Sequence, residues 1–522
     1  MADTATTPLL TSHKAKPAKA PSIDDMIETY IGATGSRQLL KAILVGFAWA
    51  FDAQQVFISV FTDAEPGWHL VGDSSSSSAS PCELPAGTWA WDRPAETSVV
   101  SEWALKCAGG GPALVSLPAS SFFAGCLAGG FLLTTLADSV LGRKKTLLAS
   151  LVSMSVVGAL TALAPNVWAY AALRFVSGFA RSMVGTCTLV LSTEIVGKRW
   201  RDTVSVAAFF CATFGFLSLP LLGYVFRMAS WRNMYLWTSV PCLFYAVLLY
   251  LVAQESPRWL LVRGRKQDAI DTPRQIASLN GTIDEEEDAG KTSTAGGVFA
   301  TLRTMWERRW ALRRLAAIMA AGFGVGMVYT GMPLSVGSLQ GSNLYTSVAY
   351  NALSELPSNI LVWILITRIN RRSSLVAVAS SAGACSLACV AIPPSAAAVA
   401  AELLSFFGTC TAYSVVLIYS IELFPTSVRS SAVGLVRQAM VLGGVAAPVL
   451  VALGRERSSL WSFGVFGIVI GCSGLFAATC LPETRGRTMS DTMDEEEERH
   501  GINVASCTGE ATKPKNGDRD LV

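Results

Sequence analysis

Hydrophobic residues are concentrated in twelve long runs, and short polar segments separate one run from the next. Each run contains about 20 mostly apolar residues, the length that an α-helix needs to cross the hydrocarbon core of a bilayer. The predicted spans, numbered 1 to 12 along the chain, are about 39–61, 112–137, 146–164, 167–191, 203–226, 231–252, 312–336, 343–367, 374–392, 396–421, 430–453 and 459–481. This pattern predicts an all-α membrane protein with twelve transmembrane helices.

Lys and Arg residues predict the orientation of these spans, because both are enriched in cytoplasmic loops. With the N-terminus inside, the external loops hold only six of the 41 Lys and Arg residues. Both termini are therefore predicted to lie in the cytosol, with the chain in the plasma membrane or the vacuolar membrane. The predicted units are a cytoplasmic N-terminal tail with an interfacial helix (1–38), a six-helix bundle (39–252) with a long external loop (62–111), a cytoplasmic inter-bundle loop (253–311), a second six-helix bundle (312–481) and a cytoplasmic acidic tail (482–522).

The composition favours a membrane protein without a cofactor, a metal ion or enzymatic chemistry. Hydrophobic residues make up 51% of the chain and charged residues 15%, against about 25% charged residues in soluble proteins. The three His residues lie outside the apolar runs, which excludes a histidine metal site within the membrane. Walker A, HExxH and GxSxG motifs do not occur, and a net charge of +3 argues against a nucleic-acid-binding protein. The acidic run Glu495–Glu498 is typical of a solvated, disordered tail.

Two of the 12 cysteines, Cys82 and Cys107, lie in the external loop 62–111. The oxidising environment outside the cytosol favours a disulfide between them. The other ten cysteines are interpreted as small apolar residues or free thiols.

Charged residues at the cytoplasmic ends of the even-numbered spans recur at a fixed offset of 228 residues. The equivalent positions are Arg143 and Arg371, Glu194 and Glu422, and Glu255 and Glu483. An Arg also follows each of Glu194 and Glu422 by seven positions. Equal offsets at three places predict two parallel six-helix repeats.

These helix-end charges are suited to a gate. A carboxylate that faces an Arg side chain can form two parallel hydrogen bonds and clamp two helices together. Clamps that break and re-form would gate a carrier whose two bundles rock against each other. The alternative is that the charges only orient the spans and anchor the helix ends. The predicted gating residues are Asp138, Arg143, Glu194, Arg201, Glu255, Arg258, Glu422, Arg429, Glu483 and Arg485.

Five motifs along the chain resemble those of the major facilitator superfamily. They are D-x3-G-R-K-K at 138–145, R-F-x-x-G-F at 174–179, E-S-P-R-W at 255–259, E-L-F-P-T-x-x-R at 422–429 and P-E-T-R-G at 482–486. Together with Phe51-Asp-Ala-Gln-Gln and Gly434-Leu-Val-Arg-Gln, they are similar to the plant organic cation/carnitine transporters. The resemblance implies a carrier with alternating access and a central site for organic cations or zwitterions such as carnitine. A proton or Na+ would be the coupling ion.

The sequence departs from this family pattern at two places that bear on the gate and on the substrate. Thr367 stands where the family has an Asp after span 8, which weakens the second gate. Val441 stands where animal cation carriers have an Asp in span 11. The alternatives are a carrier of organic anions or sugars from the same superfamily, and a membrane sensor or scaffold that transports nothing.

Charged residues inside the spans are candidates for substrate binding, because a charge in hydrocarbon is costly. Asp52 in span 1, near Gln55, could bind a quaternary ammonium or a coupling proton, or it could pair with an Arg of span 4 or 11. Arg437 in span 11 could bind a substrate carboxylate, or it could balance Asp52 or Glu355. Arg181 in span 4 could face the cavity or pair with Asp52.

Polar and aromatic side chains in spans 7, 8 and 10 complete the predicted site. Asn351 and Glu355 are one turn apart on one face of span 8, where they either line the cavity or bond to another helix. Aromatic faces bind quaternary ammonium groups, and Tyr329 falls where relatives in the family line their pocket with aromatic residues. The predicted substrate-binding residues are Asp52, Gln55, Tyr329, Asn351, Glu355, Tyr413 and Arg437.

Two further charges, Arg174 in span 4 and Glu402 in span 10, are also 228 residues apart. The repeat could bring these opposite charges together near the outer side of the protein. An external gate and two separate structural roles are both open interpretations.

Overall fold

The computed structural model describes residues 35–71, 81–85, 87–109, 111–136, 142–256, 260, 307–338, 343–393, 395–425, 428–457, 460–485, 493–494 and 496–497. The predicted interfacial helix of the N-terminal tail and most of the inter-bundle loop lie outside these residues. The predicted gating residues Asp138 and Arg258 also lie outside them.

Twelve long helices occupy the described residues at the positions of the twelve predicted spans. They are α1 (Ser36–Thr62), α2 (Gly111–Leu136), α3 (Arg143–Thr161), α4 (Val167–Glu194), α5 (Arg201–Val225), α6 (Trp231–Val252), α7 (Arg309–Ser335), α8 (Leu344–Arg368), α9 (Arg371–Ala391), α10 (Ala396–Leu423), α11 (Arg429–Arg457) and α12 (Trp461–Cys480). Ten of them are long and apolar enough to cross a membrane. The other two are more polar, since α3 begins with three basic residues and α8 contains Asn351 and Glu355. The predicted all-α fold is confirmed.

Two of the helices, α1 and α4, are interrupted. The segments of α1 are Ser36–Gly46, Ala48–Phe57 and Ser59–Thr62, and those of α4 are Val167–Arg181 and Val184–Glu194. Asp52 lies in the middle segment of α1, and Arg181 is the last residue of the first segment of α4. The interruptions therefore flank the two charged residues near the centre of the first six helices.

The contacts among α1 to α6 recur among α7 to α12. In the first group α1 packs on α5, α2 on α4 and α3 on α6. The equivalent pairs α7 and α11, α8 and α10, and α9 and α12 pack in the same way. The two groups, here called the first and second halves, meet where α2 packs on α11 and α5 packs on α8. A parallel six-helix repeat has this arrangement.

Glycines allow the closest approaches between these helices. A Cβ at Gly178 of α4 would lie 1.9 Å from the carbonyl oxygen of Phe122 in α2. A Cβ at Gly443 of α11 would lie 2.3 Å from the carbonyl oxygen of Phe323 in α7. Any larger residue at these positions would push the helices apart, so these small residues serve close helix packing.

Large apolar side chains cover the outside of the helices. Phe244 in α6, Trp363 in α8 and Leu475 in α12 are 74%, 67% and 59% exposed. A contiguous apolar surface of this kind is unfavourable in water. In a bilayer the lipid chains are as apolar as the side chains, so the surface is well solvated.

The described part of the loop between α1 and α2 lies at the end of the helices at which α1 stops and α2 begins, here called the outer end after the predicted orientation. It contains an antiparallel hairpin of β1 (Trp68–Leu70) and β2 (Trp89–Trp91). A disulfide joins Cys82 to Cys107, the two cysteines that the sequence places in this loop. The disulfide links the middle of the loop to the segment directly before α2, which restricts the loop conformations that are open to the chain.

The acidic tail contacts the bundle at the opposite end of the helices, here called the inner end. Asp494 and Glu497 form ion pairs of 2.5 and 2.6 Å with Arg308, directly before α7. Glu496 lies 2.7 Å from Arg314, which is only 7% exposed. Asp494 and Glu497 are 85% and 55% exposed, as a solvated tail requires, whereas Glu496 is only 17% exposed and departs from that prediction. The two arginines at the start of α7 offset the negative charge, and buried Arg314 needs a carboxylate partner.

Candidate functional site

Asp52 of α1 and Arg181 of α4 form an ion pair near the centre of the first half. Arg181 donates from Nε to Asp52 Oδ1 at 2.7 Å and from Nη2 to Oδ2 at 2.6 Å, so both carboxylate oxygens are occupied. The side chains of Arg181 and Asp52 are 19% and 12% exposed. In such surroundings each charge compensates the other. Of the alternatives for Asp52, this structure contains the ion pair with span 4.

Arg174, two turns before Arg181 in α4, is fully buried. Its Nη2 donates to the backbone oxygen of Gln55 at 3.2 Å and to the Ser59 hydroxyl at 3.1 Å. Its guanidinium carbon lies 4.1 Å from the centre of the Phe122 ring, within cation–π range. Arg174 therefore bonds within the first half and does not meet Glu402.

Glu355 of α8 lies where the two halves meet. The Tyr329 hydroxyl of α7 donates to its Oε1 at 2.9 Å, and the Thr213 hydroxyl of α5 donates to its Oε2 at 2.9 Å. The side chain is buried. Both oxygens accept a hydrogen bond, and no Lys or Arg in the described part of the chain pairs with the carboxylate. Glu355 is thus a negative group with neutral partners only.

Tyr329 and four other aromatic residues lie beside Glu355 and are here called the aromatic cluster. The ring of Tyr329 stacks on Phe406 with centroids 5.9 Å apart, and it lies 4.8 Å from the ring of Tyr413. Phe57 of α1 contacts Tyr329 edge-on at 5.7 Å and stacks on Phe216 of α5 at 3.9 Å. Aromatic side chains from both halves therefore converge at one place.

Asn351 of α8 and Glu402 of α10 make a second, fully buried polar contact. Asn351 Nδ2 donates to Glu402 Oε1 at 3.0 Å. Asn351 Oδ1 and Glu402 Oε2 are buried and have no hydrogen-bond partner among the described residues. Gln55 of α1 instead contacts the first half, where its Nε2 donates to the Thr238 hydroxyl at 3.4 Å. Asn351 and Gln55 thus bond within different halves.

Arg437 of α11 reaches across to the first half. Its Nη1 donates to the Thr186 hydroxyl of α4 at 2.6 Å. The two carboxylates that the sequence suggested as its partners are bonded to other residues. Val441, one turn later in α11, packs against an apolar cluster of α2, which is why an apolar residue suits this position.

Side chains of the two halves are in contact near the centre of the molecule and at the outer end. A cavity of about 10 Å³, room for about one water molecule, is lined by Val56, Phe57, Ser59, Val60, Ala119, Phe123, Thr330 and Leu334. At the outer end Tyr345 of α8 stacks on Phe61 of α1 at 5.9 Å. Arg93 of the loop donates to the Tyr345 hydroxyl at 2.7 Å. An organic cation fits this cavity only after the helices move.

The inner ends of the two halves repeat the same backbone contacts. Glu255 accepts a hydrogen bond from the backbone N–H of Lys144 at 3.0 Å. Glu483 accepts one from the backbone N–H of Arg372 at 3.2 Å. Both the acceptors and the donors are 228 residues apart, so the two bonds are equivalent.

The side-chain contacts at the inner ends follow the same offset. Glu194 accepts a hydrogen bond from the Ser256 hydroxyl, and Glu422 accepts one from the Thr484 hydroxyl. Arg371 also lies 2.9 Å from Glu422, with both side chains less than one-fifth exposed. These contacts join helix ends within one half rather than across the two halves.

Two of the remaining predicted gating arginines, Arg429 and Arg485, donate to backbone oxygens. Arg429 donates to the backbone oxygen of Phe424 at 3.3 Å, while Arg371 rather than Arg429 pairs with Glu422. Arg485 donates at 2.5 Å to the backbone oxygen at the end of α8. The positive charges of Arg143 and Arg201 interact electrostatically with the carboxylate of Glu194.

The sequence does not distinguish two residues of the site, Thr213 and Phe57, from other residues of the same type. Thr213 is one of several hydroxyl residues in apolar helices, and such residues often bond only to their own helix. Phe57 is one of 23 phenylalanines in the chain. Their positions are evident only because α5 and α1 face the second half.

Comparison with known proteins shows the family of this chain. The sequence profile of the "Sugar (and other) transporter" family matches residues 96–495. Organic cation/carnitine transporter 2 of Arabidopsis thaliana is 48% identical over 515 residues, which cover 94% of this chain and 96% of that protein. The chain belongs to the organic cation/carnitine transporter family. Organic cation/carnitine transporter 3 of the same plant is also 48% identical, over 95% of this chain and 98% of its own length.

Solved transporter structures share the fold. A partially occluded inward-open structure of the xylose transporter XylE from E. coli has a TM-score of 0.62 and 16% sequence identity, and the match covers 88% of this chain and 100% of that chain. A crystal structure of a D-xylose-proton symporter has a TM-score of 0.60 and 16% identity, over 87% of this chain and 99% of its own. The chain therefore has the major facilitator fold. Its family shows that it is a multi-pass membrane transporter for a small molecule.

Proposed function

We propose that this transporter moves organic cations, or zwitterions such as carnitine, by alternating access as a secondary active carrier. The names of the two Arabidopsis relatives point to this class of substrate. The observation that carries the proposal is the buried carboxylate of Glu355 beside the aromatic cluster. With both termini in the cytosol, the outer end faces the cell exterior or the vacuolar lumen.

Glu355 and the aromatic cluster together suit a quaternary ammonium group. Such a cation has no hydrogen to donate, so it binds through its charge and through contact with ring faces. Each ring face contributes about 0.5–2 kcal/mol. Tyr329 joins the two elements, because its ring belongs to the cluster and its hydroxyl bonds to Glu355. Tyr413, 4.8 Å from Tyr329, forms a second wall.

A zwitterion needs a positive group for its carboxylate, and Arg437 is suited to that role. The guanidinium of Arg437 bonds to the neutral Thr186 hydroxyl. A carboxylate could replace that hydroxyl with two parallel hydrogen bonds. Asn351 and Gln55 supply amide groups for further polar contacts. Because Arg437 lies at the same interface, an organic anion is the second candidate substrate.

Alternating access follows from the bonds that cross between the halves. The Thr213–Glu355 and Arg437–Thr186 hydrogen bonds each join one half to the other. Separation of the halves breaks both bonds and exposes Glu355. The substrate cation then takes the place of the Thr213 hydroxyl, and the stack of Tyr345 on Phe61 closes the outer end.

The other predicted residues act through the motion of the helices. Asp52 is a secondary site, which becomes available to a cation or a proton only when the interrupted α1 and α4 shift and Arg181 releases it. The inner-end carboxylates Glu194 and Glu422 hold the helix ends of each half together. They gate the inner side when these contacts break and re-form.

Uptake by proteoliposomes that contain the full-length chain tests the substrate class. Labelled tetraethylammonium, carnitine and benzoate are compared, and tetraethylammonium and carnitine are expected to show saturable uptake. Glu355→Gln is expected to lower the uptake of both, whereas Glu96→Gln, in the exposed part of the loop, is the matched control without effect. Arg437→Gln is expected to reduce carnitine uptake more than tetraethylammonium uptake. Benzoate flux that needs Arg437, without cation flux, would instead assign the chain to the organic anion carriers.

A further inference from the structure

Glu402 is a buried acid that the proposed transport cycle does not use. It is 0% exposed and lies near the outer end of α10. Its partner is the Asn351 amide, which donates to Oε1 at 3.0 Å. The position equivalent to Glu402 in the first half is Arg174, which bonds to Gln55 and Ser59 and not to this acid.

The contact between Glu402 and Asn351 lacks one hydrogen-bond donor. Glu402 Oε2 and Asn351 Oδ1 are both buried acceptors without a partner among the described residues. Buried polar atoms are rarely left unpaired, since each loses its bonds to water. A proton on Oε2 would supply the missing donor, and a carboxylic acid and a primary amide can then form two reciprocal hydrogen bonds. The protonated form therefore satisfies both residues, whereas the ionised form leaves two acceptors unpaired.

Among the described residues, the groups around Glu402 provide no positive charge that would compensate an ionised carboxylate. The titratable groups that act on it or face it are Cys389 of α9 and Cys410 of its own helix. Glu355 of α8 and Tyr329 of α7 lie further in, and no described residue of α11 forms an ion pair with Glu402. Glu355 accepts a hydrogen bond at each oxygen, whereas Glu402 has a single donor, and a carboxylate in such surroundings takes up a proton instead of remaining charged.

Glu402 and Asn351 lie directly beside the proposed substrate site. Asn351 precedes Glu355 by one turn of α8, and Glu402 precedes Phe406 by one turn of α10. The Glu402–Asn351 contact is therefore about 5–6 Å along the helices from the level of Glu355 and the aromatic cluster. At that separation a bound cation acts electrostatically on the carboxyl group of Glu402.

We propose that Glu402 and Asn351 form a proton-binding site, and that an organic cation at Glu355 displaces the proton bound there. This inference rests on the proposed function, because it needs a cation at Glu355. When the cation arrives, the O–H bond of Glu402 breaks and the electron pair stays on the carboxylate. The proton leaves to the water in the opened cavity, and Glu402 takes up another proton after the cation has left. By linkage, proton binding weakens cation binding by the same factor.

Proton release on cation binding tests this assignment. Tetraethylammonium chloride is added to the purified full-length chain in weakly buffered detergent solution with a pH-sensitive dye, and NaCl serves as the blank. The wild type is expected to release up to about one proton per bound cation near neutral pH. Glu402→Gln keeps the size of the side chain and is expected to bind the cation without proton release. Equal release by this variant, or release that is lost only in Asp52→Asn, would overturn the proposal.

Infrared spectroscopy of the ligand-free chain separates this inference from the proposed function. The wild type is expected to show the C=O stretch of a buried, protonated carboxylic acid near neutral pH. The band should be missing from Glu402→Gln and shifted in Asn351→Ala, which removes the partner and keeps the acid. If Glu402→Gln does not fold, the shift in Asn351→Ala still decides the question. Absence of a band that responds to Asn351 overturns the proton site, whereas this band without tetraethylammonium binding contradicts only the proposed function.

Discussion

The helices of the two halves pack in the same way, but the buried charged residues have different kinds of partner in each half. In the first half Asp52 and Arg181 compensate each other through two hydrogen bonds. In the second half Glu355 and Glu402 are buried with neutral donors, and no basic residue in the described part of the chain pairs with them. The repeat therefore duplicates the packing of the helices, whereas the partners of the buried acidic residues differ between the halves.

At the inner ends, by contrast, the two halves make the same contacts. Glu255 and Glu483 bond to equivalent backbone N–H groups, and Glu194 and Glu422 bond to equivalent hydroxyl groups. Equal contacts at equivalent places fit one mechanical role that both halves share. Variants at the centre should therefore affect the halves differently, and variants at the inner ends should affect them alike.

Asp52→Asn is expected to have the largest effect, because it leaves Arg181 without its counter-charge. Loss of one partner of a buried ion pair costs about 3–5 kcal/mol, and the partial exposure of this pair favours the lower end. The melting temperature should fall, and tetraethylammonium turnover should drop by about a hundredfold if the pair has to re-form in each cycle. The double variant Asp52→Asn/Arg181→Gln removes both charges and should recover stability without turnover. A wild-type melting temperature for Asp52→Asn would contradict the role of the pair.

Glu194→Gln and Glu422→Gln are expected to have intermediate and similar effects. Each change weakens the bond from Ser256 or Thr484 and removes a charge that acts on nearby arginines, at a cost of about 1–3 kcal/mol. The melting temperature in detergent and the rate of tetraethylammonium uptake measure the effect. The two variants should agree in both. A neutral change in one half and a severe change in the other would show that the inner ends are not equivalent.

Asp63→Asn, directly after α1, is expected to change the stability of the folded chain least, and the size of this change depends on the pH. Burial raises the pKa of Asp63 from 3.8 to about 6, although the hydrogen bond from Tyr170 and the charge of Arg174 lower it. The folded chain thus binds this proton more tightly than the unfolded chain. Its contribution to stability is present at low pH and is lost as the pH rises from about 4 to about 6.

The control is Asp63→Asn, which stays neutral over this range. The melting temperature of this variant relative to the wild type should rise by about 2 °C between pH values of about 4 and 6 and then stay constant. A difference that does not change with pH would show that Asp63 titrates as an exposed carboxyl group does.

The sequence predicts the helices and the repeat because both depend on local patterns. The thickness of the bilayer sets the length of each apolar run. The helix ends carry charges that recur in pairs such as Glu194 and Glu422. The described residues form twelve long helices at these positions, and the equivalent carboxylates make equivalent bonds.

The partners of the buried charges depend instead on how each helix is rotated and on which helix faces it. The sequence offers Asp52 several arginines, and the orientation of α4 directs Arg181 to it. Thr213 reaches Glu355 only because α5 packs on α8. The acidic tail looks solvated by composition, but Arg314 at the start of α7 binds it. Such contacts between distant residues leave no periodic signal in the sequence.

The central claim is that the cation binds to a negative charge of the second half. Equilibrium binding of labelled tetraethylammonium to the purified wild type, Glu355→Gln and Asp52→Asn/Arg181→Gln tests this claim most directly. The account predicts that Glu355→Gln weakens binding by at least about tenfold, or about 1.4 kcal/mol, while the double variant stays within about threefold of the wild type. Wild-type binding by Glu355→Gln, with loss of binding in the double variant, would place the cation at Asp52 and contradict the account.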